Sequence, residues 1–178
     1  MFEVVHVPPL QLADYGSVAP RGDLVRIGEL AERLRGARVL HLNSTKFGGG
    51  VAEILPTLTA LLADVGLAAE WRVVGADAAF FAATKALHNA LQGDARAWTA
   101  EHRRVYEATS RRLAAEFDGE YDLVVVHDPQ PLGIRALRPE LGGCWIWRCH
   151  IDLSAADPNA WAAILPWVEP YDAVVVTL

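Results

Sequence analysis

Three stretches of the sequence concentrate side chains that can do chemistry. The first is Asn43-Ser44-Thr45-Lys46-Phe47-Gly48-Gly49-Gly50, which joins an apolar run to a helical pattern. Free N–H groups at a helix start, with the helix dipole, favour an anion such as a phosphate. Gly48, Gly49 and Gly50 equally suit a tight turn, since glycine adopts backbone angles other residues avoid. The stretch is not a Walker loop, because no Gly-Lys-Ser/Thr follows. Nor is it the dinucleotide fingerprint: Glu53 holds the third glycine position.

The second and third stretches are His127-Asp128-Pro129-Gln130-Pro131 and Arg148-Cys149-His150-Ile151-Asp152-Leu153-Ser154. Each offers an imidazole and a carboxylate, groups suited to sugar hydroxyls, which both donate and accept hydrogen bonds. Asp128 and Asp152 could instead cap the helices that follow. Two carboxylates would also serve a glycoside hydrolase, at a separation the sequence does not fix. His88, Asn89 and Gln92 gather at a helix end, where capping and ligand contact are both open. The histidines show no His-Glu-x-x-His or His-x-His spacing and no Cys-x-x-Cys exists, so no metal site is expected. His6, His41 and His102 read as ordinary strand or helix residues. Ser44 and Ser154 lack a nucleophile-elbow context, which disfavours acyl transfer.

These stretches need elements to position them. The first 20 residues read as irregular, punctuated by Pro8, Pro9, Gly16 and Pro20. A helix is predicted over 22–35, with Leu24, Ile27, Leu30, Ala31 and Leu34 as one apolar stripe. Strand–helix alternation follows. Strands are predicted at 37–42, 69–74, 121–127, 145–150 and 173–177. The helix between the first two carries a stripe from Val51 to Val65, is closed by Gly66, and should be bent by Pro56. Further helices are predicted at 78–91, 97–117, shortly after Pro131, and at 159–168. Tyr121-Asp122-Leu123-Val124-Val125-Val126-His127 has the apolar continuity of a central parallel strand. The pattern implies an α/β fold, a Rossmann-like open parallel sheet with helices on both faces. Each polar stretch then falls at the carboxyl end of a strand, where such sheets bind ligands.

Composition bounds the reading. At 178 residues, 52% hydrophobic and 21% charged, the chain has the material for one domain with its own core. A net charge of −6 argues against nucleic acid, which needs a concentrated basic surface. No apolar run approaches the ~20 residues of a membrane helix, and the N-terminus lacks signal-peptide character, so a cytoplasmic protein is the default expectation. Cys144 and Cys149 would lie roughly 16 Å apart on opposite strand faces at ~3.3 Å per residue, too far for a disulfide. The last apolar strand has no helix after it, which leads us to expect the N-terminal portion of something longer.

Taken in order, Asn43-Ser44-Thr45, Gly48-Gly49-Gly50-Val51-Ala52-Glu53-Ile54-Leu55, His88-Asn89-Ala90-Leu91-Gln92-Gly93, Val126-His127-Asp128-Pro129-Gln130-Pro131 and Trp147-Arg148-Cys149-His150-Ile151-Asp152-Leu153-Ser154 closely resemble the N-terminal half of the trehalose glycosyltransferring synthases. The resemblance covers roughly residues 37 to 178. It implies one half of a retaining GT-B glycosyltransferase that moves glucose from a nucleoside diphosphate glucose (NDP-glucose) to free glucose, reversibly, without metal or cofactor. Residues 1–178 would be the acceptor-side domain, with the donor-binding domain absent from them.

Carried over by motif, Gly48, Gly49 and Gly50 would face the donor phosphates and the acceptor. Asn43, Asp128, Gln130 and Asp152 would bind glucose hydroxyls, and His150 would lie beside the transferred glucosyl group. Asp128 and His150 are the catalytic candidates; His88, Asn89, Gln92 and Arg148 are further substrate contacts. With Lys46 and Arg148 as the cations near the loops, free glucose is favoured over glucose 6-phosphate. The fragment alone is expected to be inactive, and self-association, including a homodimer, would follow from apolar surface left uncovered. The alternatives are the matching domain of a trehalose phosphorylase, a non-enzymatic sugar- or anion-binding module, or an interaction domain whose polar loops are helix caps.

Overall fold

The computed structural model of the chain describes residues 2–94, 96 and 98–177. In chain order the elements are β1 (Phe2–Val4), α1 (Arg21–Arg33), β2 (Arg38–Asn43), α2 (Gly50–Asp64), β3 (Ala68–Val74), α3 (Ala78–Leu91), α4 (Ala100–Glu116), β4 (Leu123–His127), α5 (Gly133–Leu137), β5 (Cys144–Asp152), α6 (Pro158–Val168) and β6 (Ala173–Thr177). They build one six-stranded sheet ordered β1-β3-β2-β4-β5-β6. All neighbours are parallel except β1, which runs antiparallel to β3. The α/β expectation holds, with a mixed rather than wholly parallel sheet.

Side chains alternate between faces along each strand, so the sheet separates two environments. Leu40, Leu42, Val124, Val126, Trp145 and Trp147 point into one large core with Phe80, Leu87, Tyr106, Leu113, Ile134 and Ile164 of α3 to α6. On the other face Leu55 of α2 packs on Trp71 and Val73, and Ala31 of α1 packs on Val39 and Leu67. β4 sits between β2 and β5, as its apolar run implies. Chain order reverses beside β2: β3 lies on one side of it and β4 on the other.

Several expectations change. The start of the chain is not wholly irregular: β1 pairs with β3, and Leu12–Ser17 forms a 3-10 helix. The predicted stripe of α1 does not seat in the core, because only Ala31 of that helix is buried while Ile27, Leu30 and Leu34 are exposed. α2 continues through Pro56 to Asp64. The predicted start of α4 at Ala97 lies outside the described residues, as does Leu178 at the chain end. The described helix begins after Thr99, whose hydroxyl accepts from the His102 amide at 3.2 Å in a capping box. Cys144 is exposed and Cys149 buried, both as free thiols on a strand of alternating burial.

Candidate functional site

The strand-order reversal between β2 and β4 opens a crevice at the carboxyl edge, where open α/β sheets hold ligands. A cavity of about 380 Å³ lies there. Asn43, Ser44 and Thr45 line it from the end of β2, Gly48 to Ala52 and Ile54 from the start of α2, His88 from α3, Asp128 from the end of β4, and His150 and Ile151 from β5. The volume is within the usual range of small-molecule sites.

The glycine turn owes its shape to backbone freedom. Gly48 and Gly49 have φ of +71° and +86°, and a side chain at either would meet open space, so conformation rather than crowding demands glycine. Gly49 caps α2 without a side-chain hydrogen bond, leaving the first-turn N–H groups of a 15-residue helix at the cavity. Asn43 is buried and committed at both ends: its Oδ1 accepts from Trp71 Nε1 at 2.8 Å and its Nδ2 donates to the Thr45 carbonyl at 2.7 Å. It therefore latches the turn onto β3.

Asp128 is the one non-glycine residue with positive φ (60°) among the described residues. Three hydrogen bonds hold it there. Its amide donates to the Arg148 carbonyl (3.0 Å), its carbonyl accepts from Trp147 Nε1 (3.0 Å), and its Oδ1 accepts from the His150 amide (2.7 Å). Asp128 itself lines the cavity. Such over-determined backbone conformations concentrate at functional sites.

Behind His150 lies a run of imidazoles. His127 Nδ1 is 3.0 Å from His150 Nε2, and His127 Nε2 is 3.1 Å from His41 Nδ1. Burial pulls His41 down to about 4, and His127, with further repulsion from its two neighbours and Arg148, to about 3. His150 is also lowered, by burial first, with Arg148 adding and Asp128 opposing. All three are neutral at pH 7.

The other sequence candidates stand apart from the cavity. Arg148 donates to the Cys149 carbonyl (2.8 Å) and to Thr177 Oγ1 (3.0 Å), tying β5 to β6. Asp152 is exposed and accepts from the Ser154 amide at 2.9 Å, a local turn whose bonds hold its carboxyl below the usual range. Neither Asp128 nor Asp152 caps a helix; Asp157 caps α6, accepting from the Asn159 and Ala160 amides. Gln92 is exposed at the end of α3, Asn89 is half-buried there, and Gln130 buries an unpartnered Oε1 beyond the cavity wall. Lys46 pairs with Glu3 of β1, so no lysine or arginine lines the cavity. Among the described residues no group of three or more His, Cys, Asp or Glu is placed to hold a metal ion, and no helix is long and apolar enough to cross a membrane.

The residue that sequence reasoning missed is His41. It is buried, and it lies one diagonal step across the sheet from His127, since its direct neighbour is Val125. The strand register carried that signal, and the register cannot be read without knowing that β4 pairs with β2.

The fold defines an α/β domain of the open-sheet kind, with a crevice at the switch point. The family model described as trehalose synthase, N-terminal domain, matches residues 41–178, and the chain belongs to that family. A trehalose synthase of Rubrobacter xylanophilus is 49% identical over 94% of this chain and 41% of its own length. One from Pyrococcus horikoshii is 41% identical with the same two shares. The chain thus spans about two fifths of the length of these curated relatives. A trehalose phosphorylase of Pleurotus pulmonarius is 29% identical over 80% of this chain and 21% of its own. Among solved structures, an α,α-trehalose 6-phosphate synthase of Burkholderia multivorans gives a TM-score of 0.44 at 17% identity, covering 79% of this chain and 39% of that one.

Proposed function

We propose that residues 1–178 form the acceptor-sugar half of a GT-B trehalose synthase that transfers glucose from NDP-glucose to free glucose, reversibly and with retention. The observation that carries this is one cleft gathering Asp128, His150, His88 and the uncapped start of α2 in a chain of this family. Glycosyl transfer develops positive charge on the donor ring and negative charge on the departing diphosphate. First-turn amides of α2, at the cavity, would stabilise such an anion. Asp128 Oδ2 would accept from the attacking hydroxyl and hold it in line, while Oδ1 stays anchored on the His150 amide. His150, neutral at pH 7, would serve as a hydrogen-bonding partner to the sugar. The absence of cations among the lining residues favours an unphosphorylated acceptor.

The donor nucleotide would bind in the further length that the relatives possess, so these residues alone should release no nucleoside diphosphate from donor and glucose. Titrating glucose into the 15N-labelled chain tests the acceptor half. Saturable amide shifts confined to Gly48–Gly50, Asp128 and His150–Ile151 are expected; shifts scattered over the surface, or none, would count against the reading. The phosphorylase relative favours a second reading, in which inorganic phosphate takes the glucosyl group from trehalose. Supplying trehalose with either phosphate or a nucleoside diphosphate to the whole protein separates the two.

A further inference from the structure

His150 accounts for one imidazole at the cleft, and two more stand behind it without a role. His41, His127 and His150 share one sheet face, each a diagonal step nearer the carboxyl edge: His41 is opposite Val125, and His127 is opposite Arg148. Their rings follow one another at centroid distances of 5.4 and 5.3 Å, tilted by 29° and 21°. The nitrogen contacts of 3.1 and 3.0 Å are hydrogen-bond distances.

A contact between two imidazole nitrogens accommodates one proton. With none, two lone pairs face each other; with two, two N–H groups collide. Three neutral rings carry three ring protons, and the two contacts take two of them. The third must sit at an end, on His41 Nε2 or on His150 Nδ1. The rings are then all Nδ1–H or all Nε2–H. His41 Nε2 is buried and has no hydrogen-bond partner, so the inner end is closed and the run cannot conduct a proton through to solvent. A fourth proton would bury a positive charge near Arg148, opposed by the Asp128 carboxylate beside His150. What remains is a neutral device with two senses.

We propose that His41 and His127 are positioning residues that act through His150: the three imidazoles change tautomer together, so the stack sets whether His150 Nδ1 donates or accepts at the cleft. A hydroxyl or phosphate oxygen accepting from Nδ1 aligns all three rings as Nδ1–H. This deepens the reading of the cleft as a sugar site, and rests on it only for the ligand.

Long-range 1H–15N spectra of the chain carrying 15N-histidine, at pH 7, read the protonated nitrogen of each ring directly. The expected result is three neutral rings with the same nitrogen protonated in all. Opposed tautomers among the three would overturn the proposal, and this wild-type spectrum decides even where variants fail to fold. In His41→Phe and His41→Asn, with the amide fingerprint retained, the His150 ring shifts should leave the single-tautomer values and move towards the average of a free imidazole. Unchanged His150 ring shifts in both folded variants would refute the coupling. Glucose should move the His41 ring signals although His41 cannot touch it. Coupled tautomers with no response to glucose would uphold the stack and overturn the sugar reading instead.

Discussion

The two faces of the sheet are built on opposite principles. On the α3–α6 side every inward strand residue of β2, β4 and β5 is apolar, and three tryptophan or tyrosine rings (Tyr106, Trp145, Trp147) are almost fully buried. On the α2 side the same strands carry His41, Asn43, His127 and His150, and each of these side chains has a neighbour within hydrogen-bond reach, although His41 Nε2 is buried without a partner. The apolar face holds the largest of the buried clusters. The polar face carries its side chains on strands that are already packed from behind.

That division is open to attack. Trp147→Ala on the apolar face should cost about 3–5 kcal/mol, read from the urea midpoint, because a fully buried indole leaves a large cavity. On the polar face, acid should be the sharper tool. His41 and His127, depressed to about 4 and about 3, take up protons on unfolding but not in the fold. Their contribution to stability is therefore fully present above about pH 6.5, the unfolded value, and is lost as pH drops towards 4, by about 1–3 kcal/mol per unit for the pair. Denaturation at stepped pH should show this slope, and His127→Phe should roughly halve it.

Asp128→Ala removes the acceptor of the His150 amide from a residue held at positive φ, for a loss of about 1–3 kcal/mol. Asp128→Asn, which tolerates that conformation and can still accept, should recover most of the stability yet abolish the glucose-dependent amide shifts. Gly49→Ala should cost about 1–2 kcal/mol from its φ of +86° alone, as no neighbour crowds it. Leu30→Gln on exposed α1 should change stability by less than about 0.5 kcal/mol. A larger loss there would mean that α1 is packed more firmly than its exposure indicates.

Much of this was legible in the sequence. The strands at the three polar stretches, the helix ends at Gly66 and Val168, and the gathering of Gly48–Gly50, Asp128 and His150 all follow from apolar period and loop position. What escaped depended on pairing. β1 is three residues long and is recognisable only by its partner β3. Arg148 and Asp152 sit beside the cleft in the sequence, yet Arg148 turns to β6 and Asp152 closes its own turn. His41 looked ordinary because nothing in its own strand reveals a second and third imidazole across the register. The α1 stripe misled for the converse reason: helical period shows which side is apolar, and only the fold shows whether anything lies against it.

The sheet's two outer strands have unequal consequences for handling the protein. β1 is short, and its Glu3 is drawn to Lys46, so it offers an added strand little to grip. β6, by contrast, is five uncharged residues, Ala-Val-Val-Val-Thr, with Val174, Val175 and Val176 40–45% exposed. A valine-rich outer strand of this kind has open backbone groups with which a further strand can pair. For residues 1–178 studied by themselves, Val175→Lys should therefore lower any turbidity that grows with concentration.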